Sequence, residues 1–358
     1  MNSHERVMTA LDFGIPDRVP RFDGFWPEWE QAWRHERPEL ADVSAEDHFG
    51  VDISIAVGDE TLCPSRAEVI SETESGLIRR DGWGRVIRTV PGGFFYEQLD
   101  SALKSRADLD ALPIDPPDLE SRYAGLDARM PDLKQRYCVF AKVGGPFIRS
   151  GFVRGDVDYL VDMAEDPDFA AEFTMRIADH LIAIGLEELR RWDLYSSGVW
   201  IYDDMASNSG PMFSPRTAER VLVPAWAKMV RAFKDAGARK VILHSDGNIG
   251  PLLDTFVDIG FNGINPVEPK AGLNALELRR KYGKKLALLG GVCNAFVLPR
   301  GCPEELRAHV LEVLSAGVEG GLVIGTHSIG PDISVETYEQ YARLLDEFAT
   351  YPMHLGNR

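Results

Sequence analysis

The chain has 358 residues, 44% of them hydrophobic and 27% charged, and its 56 acidic against 39 basic residues give a formal net charge of −17 at pH 7. This composition is typical of a soluble globular protein with a sizeable core. The acidic excess, without any dense stretch of Lys and Arg, argues against binding to nucleic acid or to an anionic membrane surface, since both would be repelled.

The amino-terminal segment and the cysteines indicate where the protein works. The first eleven residues alternate charged and apolar residues at helical spacing, without the continuous apolar core of a secretory signal. No window reaches the roughly 20 uncharged apolar residues that a membrane span needs. The cysteines form no CxxC pair, which argues against a disulfide scaffold or an all-thiolate zinc site. We therefore expect a cytoplasmic protein.

Short β-type runs alternate with longer helical segments, a pattern that predicts a parallel sheet wrapped by crossover helices. In chain order the predicted strands are Arg18 to Phe22, Asp52 to Val57, Cys138 to Val143, Gly198 to Tyr202, Lys240 to His244, Gly263 to Asn265, Leu286 to Leu289 and Gly321 to Ile324. Eight such strands predict a TIM (β/α)8 barrel, whose active site lies at the carboxyl ends of the strands. We expect residues 1–358 to form a single domain.

A different pattern separates the second and third predicted strands. Ser71 to Phe95 consists of short β-prone runs divided by Gly turns, which predicts a small antiparallel insert at about residues 60–105. Pro113 to Asp118 is a Pro- and Asp-rich connection back to helix. The last helix is predicted over Val335 to Phe348, with Ser334 as its N-cap.

Ionisable residues are concentrated at the predicted carboxyl ends of the strands, where a barrel enzyme carries out its chemistry. They are Arg21, Asp23, Asp52, Lys142, Asp203, Asp204, His244, Asp246, Glu268, Cys293 and His327.

The strongest of these signals is His244 followed by Asp246. Side chains two apart on a strand leave on the same side, so this pair can converge on one metal ion or one substrate group. The alternative is that Asp246 caps the next helix and His244 packs beneath it. Glu268 follows about one strand-helix unit later, and His327 lies in the turn after the last strand, facing the mouth of the barrel. Alone, such a His is more often a hydrogen-bonded structural residue.

Two further groups are candidates for the walls of a substrate pocket. Arg21, Asp23 and Trp26 follow the first strand, where aromatic faces exclude water and charges fix the orientation of a ligand. A cap on the barrel bottom or a dimer contact is the alternative interpretation. Asp203 and Asp204 follow another strand, and because neighbours on a strand point to opposite faces, we expect one to reach the pocket while the other caps or pairs.

These residues belong to a series of motifs that extends over nearly the whole chain. The motifs are Pro16 to Pro20, Arg80 to Gly84, Asp203 and Asp204 with Gly210-Pro211 and Ser214-Pro215, His244 to Gly247, Asn265 to Pro269, Gly290 to Val292, His327 to Ile329, and Pro331-Asp332. This series resembles the uroporphyrinogen decarboxylase-like superfamily. The resemblance implies a TIM barrel with one of two activities: cofactor-free decarboxylation of uroporphyrinogen, or zinc-dependent methyl transfer to or from a corrinoid protein or a thiol.

The chain departs from both branches of this superfamily. The decarboxylases hold an eight-carboxylate substrate with paired arginines near the amino terminus; here Arg21 is present, but Phe25 and Trp26 occupy the second place. An acidic chain without that second arginine is poorly suited to bind such an anion. The thiol-methylating members bind zinc through a His-x-Cys pair and a later Cys, where this chain has Asp246 and His327.

The resemblance therefore implies a zinc-dependent methyltransferase that moves a methyl group between a small donor and a corrinoid protein or related acceptor. His244, Glu268 and His327 are the implied metal ligands, with Asp246 as a further candidate. Histidine and carboxylate ligands bind zinc at about 2.0 to 2.2 Å, and fewer thiolates leave a stronger Lewis acid, which favours a methyl ether donor.

The remaining candidates have roles in catalysis and substrate binding. Asp203, Asp204 and Asp246 are the candidate catalytic carboxylates, and Lys142 joins Arg21, Asp23 and Trp26 as a candidate for substrate binding. A metal-free decarboxylase is the alternative function, and a catalytically silent barrel that binds a corrinoid or tetrapyrrole is a third. The oligomeric state stays open.

Overall fold

The computed structural model describes residues 1–91 and 96–356. Its strands in chain order are β1 (Ile53–Val57), β2 (Glu68–Thr73), β3 (Gly76–Arg80), β4 (Val86–Thr89), β5 (Tyr96–Asp100), β6 (Cys138–Gly144), β7 (Gly198–Tyr202), β8 (Ala206–Ser207), β9 (Gly210–Pro211), β10 (Lys240–His244), β11 (Gly263–Val267), β12 (Ala287–Gly291) and β13 (Leu322–Gly325). Its α-helices are α1 (Ser3–Leu11), α2 (Pro27–Glu36), α3 (Ala45–Phe49), α4 (Ala124–Asp127), α5 (Met130–Arg136), α6 (Pro146–Arg154), α7 (Asp156–Glu165), α8 (Pro167–Trp192), α9 (Pro215–Val221), α10 (Val223–Asp235), α11 (Leu253–Ile259), α12 (Ala275–Tyr282), α13 (Val297–Arg300), α14 (Pro303–Ser315) and α15 (Val335–Phe348).

Seven strands form one parallel sheet in the order β1-β6-β7-β10-β11-β12-β13. Helices connect successive members, because a crossover between parallel strands needs a long connection. The predicted α/β class with a TIM-like parallel sheet is confirmed. These seven strands differ from the predicted ones by no more than two residues at either end.

The predicted first strand, Arg18 to Phe22, is not a regular strand. Pro20 has no N–H to donate to a ladder, so the pairing with the last strand is reduced to an isolated parallel bridge between Arg21 and Ile324. On the other side, the Asp52 N–H donates to the Arg21 carbonyl at 2.9 Å. The segment therefore lies between β13 and β1 and joins the two edge strands of the sheet.

Alternate side chains of the parallel strands separate into two cores, because successive residues of a strand point to opposite faces. One core lies between the strands and the surrounding helices. The other lies inside the curled sheet, and its buried members are Val7, Met8, Leu11, Ile53, Cys138, Phe140, Trp200, Ile242, Ala287, Leu289 and Val323. The next inward positions toward the carboxyl ends of β6, β7 and β10 are Lys142, Tyr202 and His244.

An antiparallel sheet, in the order β2-β3-β4-β5, lies in the chain between β1 and β6. All residues of β2 are exposed, so this sheet contributes little to the buried core. The end of the predicted Ser71 to Phe95 pattern, residues 92–95, lies outside the described residues.

The predicted last helix is confirmed as α15. It spans Val335–Phe348, and the Ser334 hydroxyl accepts the Thr337 N–H at 3.1 Å as the N-cap. The longest helix is α8, with 26 residues, several of them charged. Across residues 1–91 and 96–356, no helix combines the length and apolar character needed to cross a bilayer.

A buried carboxylate ties together the start of the chain and the first strand of the large sheet. Asp52 is fully buried. It accepts hydrogen bonds from Arg6 Nη1 at 2.7 Å, from Arg18 Nη1 at 2.7 Å and from the Arg21 N–H at 2.8 Å. Because these donors come from α1 and from the segment beside β13, Asp52 fixes the place where the ends of the sheet meet.

We expect Asp52→Asn to lower the free energy of unfolding by about 3–5 kcal/mol, since it leaves the buried Arg6 and the half-buried Arg18 without the fully buried counter-charge that they share. Chemical denaturation measures this change. Asp17→Asn is the control: Asp17 also pairs with Arg6, but its side chain is 41% exposed, so the loss stays under about 1 kcal/mol. Equal losses for both variants would contradict the role of Asp52.

Candidate functional site

A row of three side chains crosses the carboxyl ends of β7, β10 and β11. Tyr202, His244 and Asn265 are register partners on these neighbouring strands. The Tyr202 and His244 rings stack, with centres 4.1 Å apart and planes 19° apart. His244 Nδ1 lies 2.7 Å from Asn265 Oδ1. Because an amide oxygen only accepts, Nδ1 donates its proton here, which leaves the Nε2 lone pair of a neutral His244 for another partner.

The Nε2 side of His244 faces carboxylates. His244 Nε2 lies 3.5 Å from Asp246 Oδ1 and 3.8 Å from Asp204 Oδ1. His327 Nε2 lies 3.0 Å from Asp246 Oδ2. One ligand atom from each of His244, Asp246 and His327 lies within 4.8 Å of the others. Asp204 also accepts the Asp246 N–H at 3.0 Å, which holds this turn in place.

This donor set fits a divalent metal ion. Asp246 Oδ1 is buried and makes no hydrogen bond to the described residues. It faces a nitrogen whose lone pair is unused when His244 is neutral, so two electron-rich atoms point at each other. A shared cation relieves that repulsion, as does a proton on Nε2. Two imidazoles and a carboxylate suit zinc and related transition metals.

The charges of Asp246 and His327 stabilise each other. Burial alone would lower the pKa of His327, but its hydrogen bond to Asp246 and the charges of Asp246 and Glu268 raise that pKa above its ordinary value. Burial would raise the pKa of Asp246, but the hydrogen bond from His327 and the charges of His244 and His327 lower it. Each of the two residues therefore favours the charged form of the other.

Glu268, a predicted metal ligand, instead holds the loop that carries Asp246. Its side chain is 2% exposed, Oε2 accepts the Gly247 N–H at 2.7 Å, and Oε1 lies 3.0 Å from Lys270 Nζ. Gly247 has φ +83°, and a Cβ there would lie 2.5 Å from the Ala206 carbonyl oxygen. The structure does not group Glu268 with the three clustered ligands.

Asp203 points away from the cluster, to the start of α6. It is fully buried and accepts the Ile148 N–H at 2.9 Å, the Phe147 N–H at 3.4 Å and the Trp226 Nε1–H at 2.7 Å. Burial raises the pKa of Asp203 to about 7, although these donors lower it. Of the two adjacent carboxylates, Asp204 faces the cluster and Asp203 caps a helix, the division expected from strand alternation.

The structure also places Arg21 outside the predicted pocket. Its inward neighbour is Phe22, whose ring packs 5.1 Å from that of Trp200 inside the sheet. Arg21 therefore points outward, where its guanidinium donates to Asp346 Oδ1 at 2.6 Å and to the Phe49 carbonyl at 3.1 Å. The alternation of side chains about Phe22 explains this direction.

Asp23 is likewise turned away from the barrel interior. It is buried and accepts the Thr326 N–H at 2.7 Å, the Thr326 hydroxyl at 2.8 Å and the Tyr338 hydroxyl at 3.0 Å. Burial raises the pKa of Asp23 to about 6, against these hydrogen bonds. Because Thr326 precedes His327, Asp23 supports the turn that carries this histidine.

Trp26 and Cys293 lie in loops at the same end of the large sheet. The Trp26 N–H donates to the Ile329 carbonyl at 3.0 Å, so this residue enters α2 beside the segment that follows His327. Cys293 is buried, and its N–H donates to His309 Nε2 at 3.0 Å. The structure does not include Cys293 in the metal-ligand cluster.

Lys142 reaches the inner side of the site. Its Nζ lies 3.1 Å from Glu60 Oε1 and 5.4 Å from the centre of the Tyr202 ring. Since the Tyr202 ring also stacks on His244, this one ring lies beside both Lys142 and a member of the metal-ligand cluster.

Sequence reasoning did not assign roles to Asn265 and Tyr202. Both lie at the ends of predicted strands, so the available signal was their position beside His244 in a parallel sheet. That signal depends on the cross-strand register, which the pattern of apolar runs does not specify.

The site and fold together define a class: a TIM-like parallel α/β protein with a His/Asp cluster at the carboxyl ends of its strands. The family model described as "Uroporphyrinogen decarboxylase (URO-D)" matches residues 97–348. The chain belongs to this family, and the resemblance found in the sequence is confirmed.

Solved structures extend the comparison. A methyltransferase from Methanosarcina mazei has the same fold, with a TM-score of 0.69 and 18% identity over 97% of this chain and 99% of that one. A B12-independent methionine synthase from Shewanella sp. W3-18-1, in complex with selenomethionine, aligns with a TM-score of 0.46 and 12% identity over 92% and 95% of the two chains. A comparison with curated proteins finds no match.

We expect Asn265→Ala to weaken zinc binding about 10- to 100-fold, because the proton on His244 Nδ1 loses its acceptor and the ring its fixed orientation. Competition with a chromogenic chelator measures the affinity. Asn274→Ala is the control, since Asn274 caps α12 through the Glu277 N–H. Unchanged affinity in Asn265→Ala, or an equal loss in Asn274→Ala, would contradict this assignment.

Zinc affinity should fall as the pH is lowered through the raised pKa of His327. The metal must displace the proton that Asp246 stabilises on His327, so protons compete with the metal below this pKa and not above it. Titrations with zinc between pH 5.5 and 8.5 would measure the slope. His327→Gln should bind zinc more weakly with a shallower slope, and an unchanged slope would exclude His327 as a ligand.

Proposed function

We propose that the chain is a zinc-dependent methyltransferase in which His244, Asp246 and His327 hold the metal ion. The observation that carries this proposal is that His244 Nε2 and Asp246 Oδ1 face each other at 3.5 Å while Asn265 holds the other ring nitrogen of His244. Three protein ligands are typical of a catalytic zinc site, which keeps a further position for substrate.

When bound, zinc supplies a Lewis acid that polarises the heteroatom carrying the methyl group. The chain's residues orient and enclose this site. Asn265 and Tyr202 fix the His244 ring, and Asp204 holds the turn of Asp246. Below them the buried side chains of Trp200 and Ile242 fill the interior of the sheet.

We further propose a small methyl donor, with a methyl ether as the first class to test, and a corrinoid on a partner protein as the acceptor. The ligand set supports the donor class. A site without thiolate leaves more positive charge on the metal, which favours binding of an oxygen over a soft sulfur. The acceptor follows from the resemblance of the sequence to the methyltransferase branch of the family.

Metal-free decarboxylation is a second candidate, favoured by the hydrogen-bonded pair of His327 and Asp246. This pair lies 3.0 Å apart and is able to transfer a proton without a metal. Against it, Arg21 contacts Asp346 on the outer side of the sheet, so it does not hold substrate carboxylates inside. Turnover of uroporphyrinogen by metal-free protein would favour this candidate.

The finer architecture is part of the proposal. We propose that residues 1–358 form one domain with an insert at about 60–105. In this barrel, residues 20–22 take the position of the eighth strand. The backbone bonds of Arg21 and Phe22 to the first and last strands support the closure.

The test is the zinc content and methyl transfer activity of the wild type and His244→Ala. We expect near-stoichiometric zinc in the wild type, less than a tenth of it in the variant, and loss of methyl transfer from methoxylated donors to free cob(I)alamin. His35→Ala, at an exposed position of α2, is the matched control and should keep both. Retained zinc and activity in His244→Ala would contradict the assignment of His244 as a zinc ligand. A wild type that is active without metal would favour the decarboxylase.

A further inference from the structure

A buried cation lies beside the metal-ligand cluster. Lys142 is two residues beyond Phe140 on β6, so it takes the next inward position of the strand. It is 8% exposed, and its Nζ lies 5.4 Å from the centre of the Tyr202 ring. The same ring stacks 4.1 Å from His244. Lys142 and the cluster are thus on two sides of one aromatic side chain, within the span of a small molecule.

Lys142 shares its counter-ion with a second cation. Glu60 Oε1 lies 3.1 Å from Lys142 Nζ and also forms an ion pair with Arg149 Nη2. Glu60 Oε2 accepts the Gly144 N–H. Burial would raise the pKa of Glu60, but the charges of Arg149 and Lys142 lower it, so this carboxylate is ionised. One negative charge therefore faces two positive ones.

The other carboxyl group nearby, Glu188, forms an ion pair with neither cation. It is fully buried and accepts the Gly58 N–H at 3.0 Å and the Lys142 N–H at 3.1 Å through its two oxygens. Among the described residues, Lys142 and Arg149 therefore share Glu60 as their ion-pair partner.

An uncompensated positive charge in a buried place is costly unless an anion joins it. Among the described residues, Lys142 Nζ donates one hydrogen bond, to Glu60, and an ammonium group has three N–H donors. Two donors therefore remain for a ligand.

We propose that Lys142 binds a carboxylate of the small molecule whose methyl group is transferred, so that the substrate is an anionic methyl donor. This inference rests on the proposed function for the identity of the reacting group, but not for the existence of the carboxylate site. Two cations that share one carboxylate can accept a second one from a ligand. The Tyr202 ring between Lys142 and His244 sets the distance between the anionic end and the methyl group.

The test compares carboxylates with their neutral amides on zinc-loaded protein, using acetate with acetamide and benzoate with benzamide in isothermal titration. None of these probes donates a methyl group, so the result is independent of catalysis. We expect the wild type to bind at least one carboxylate more than 10-fold more tightly than its amide. Lys142→Met should abolish this preference, and Lys142→Arg should keep most of it.

Glu60→Gln is expected to act in the opposite direction, because it removes the negative charge that competes for Lys142. Carboxylate affinity should rise by about 3- to 10-fold, whereas a purely structural role of the cluster predicts no gain. This variant keeps the proposal testable if Lys142→Met does not fold.

The variant His244→Ala separates this proposal from binding to the metal. If a carboxylate binds the zinc ion itself, the preference will survive in Lys142→Met and vanish in His244→Ala, which would overturn the proposal. A wild type with no preference for either carboxylate would overturn it too. Loss of zinc from the wild type would count against the proposed function alone, since the preference at Lys142 would persist.

Discussion

The alternation of side chains along the seven parallel strands decides which residues of this protein meet. One parity fills the interior of the curled sheet with apolar residues, and the same parity continues to Lys142, Tyr202 and His244 at the carboxyl ends. The other parity faces the helices and sends Asp203 to the start of α6. The pleat of the sheet turns Lys142, Tyr202 and His244 toward one space, and the turns after β10 and β13 bring Asp246 and His327 to it.

The geometry of the His/Asp cluster depends on a few side chains around it. Asn265 sets the proton on His244, and that choice leaves an electron-rich nitrogen facing Asp246. Asp246 is shared by two histidines and sits in a turn held by Asp204 and Glu268 through backbone N–H groups. Asp246 therefore faces both imidazoles, while Asp204 and Glu268 hold its turn in place. Hydrogen bonds that orient a ligand in this way are typical of metal sites.

Sequence reasoning predicted the parts of this arrangement that depend on local pattern. An apolar run ended at His244, and the bounds of seven of the eight predicted strands and of the last helix agreed with the structure within two residues. It did not predict what depends on register between strands. The partnership of His244 with Asn265 is one such feature, and the outward direction of Arg21 is another, since Pro20 interrupts the ladder and Phe22 takes the inward place. Pairing between β10 and β11 decides the partner of His244, and the burial of Phe22 inside the sheet decides the direction of Arg21.

The charges at the mouth separate the two chemistries known for this family fold. A decarboxylase acting on a molecule with many carboxylates needs several cations aimed at the substrate. Here Arg21 contacts Asp346 outside the sheet, and Lys270 pairs with Glu268. Among the described residues, Lys142 Nζ donates one hydrogen bond, to Glu60, and lies beside the ring that stacks on His244. These charges support the proposed substrate, a small methylated acid with one anionic end and one neutral, polarisable end, over a polyanion.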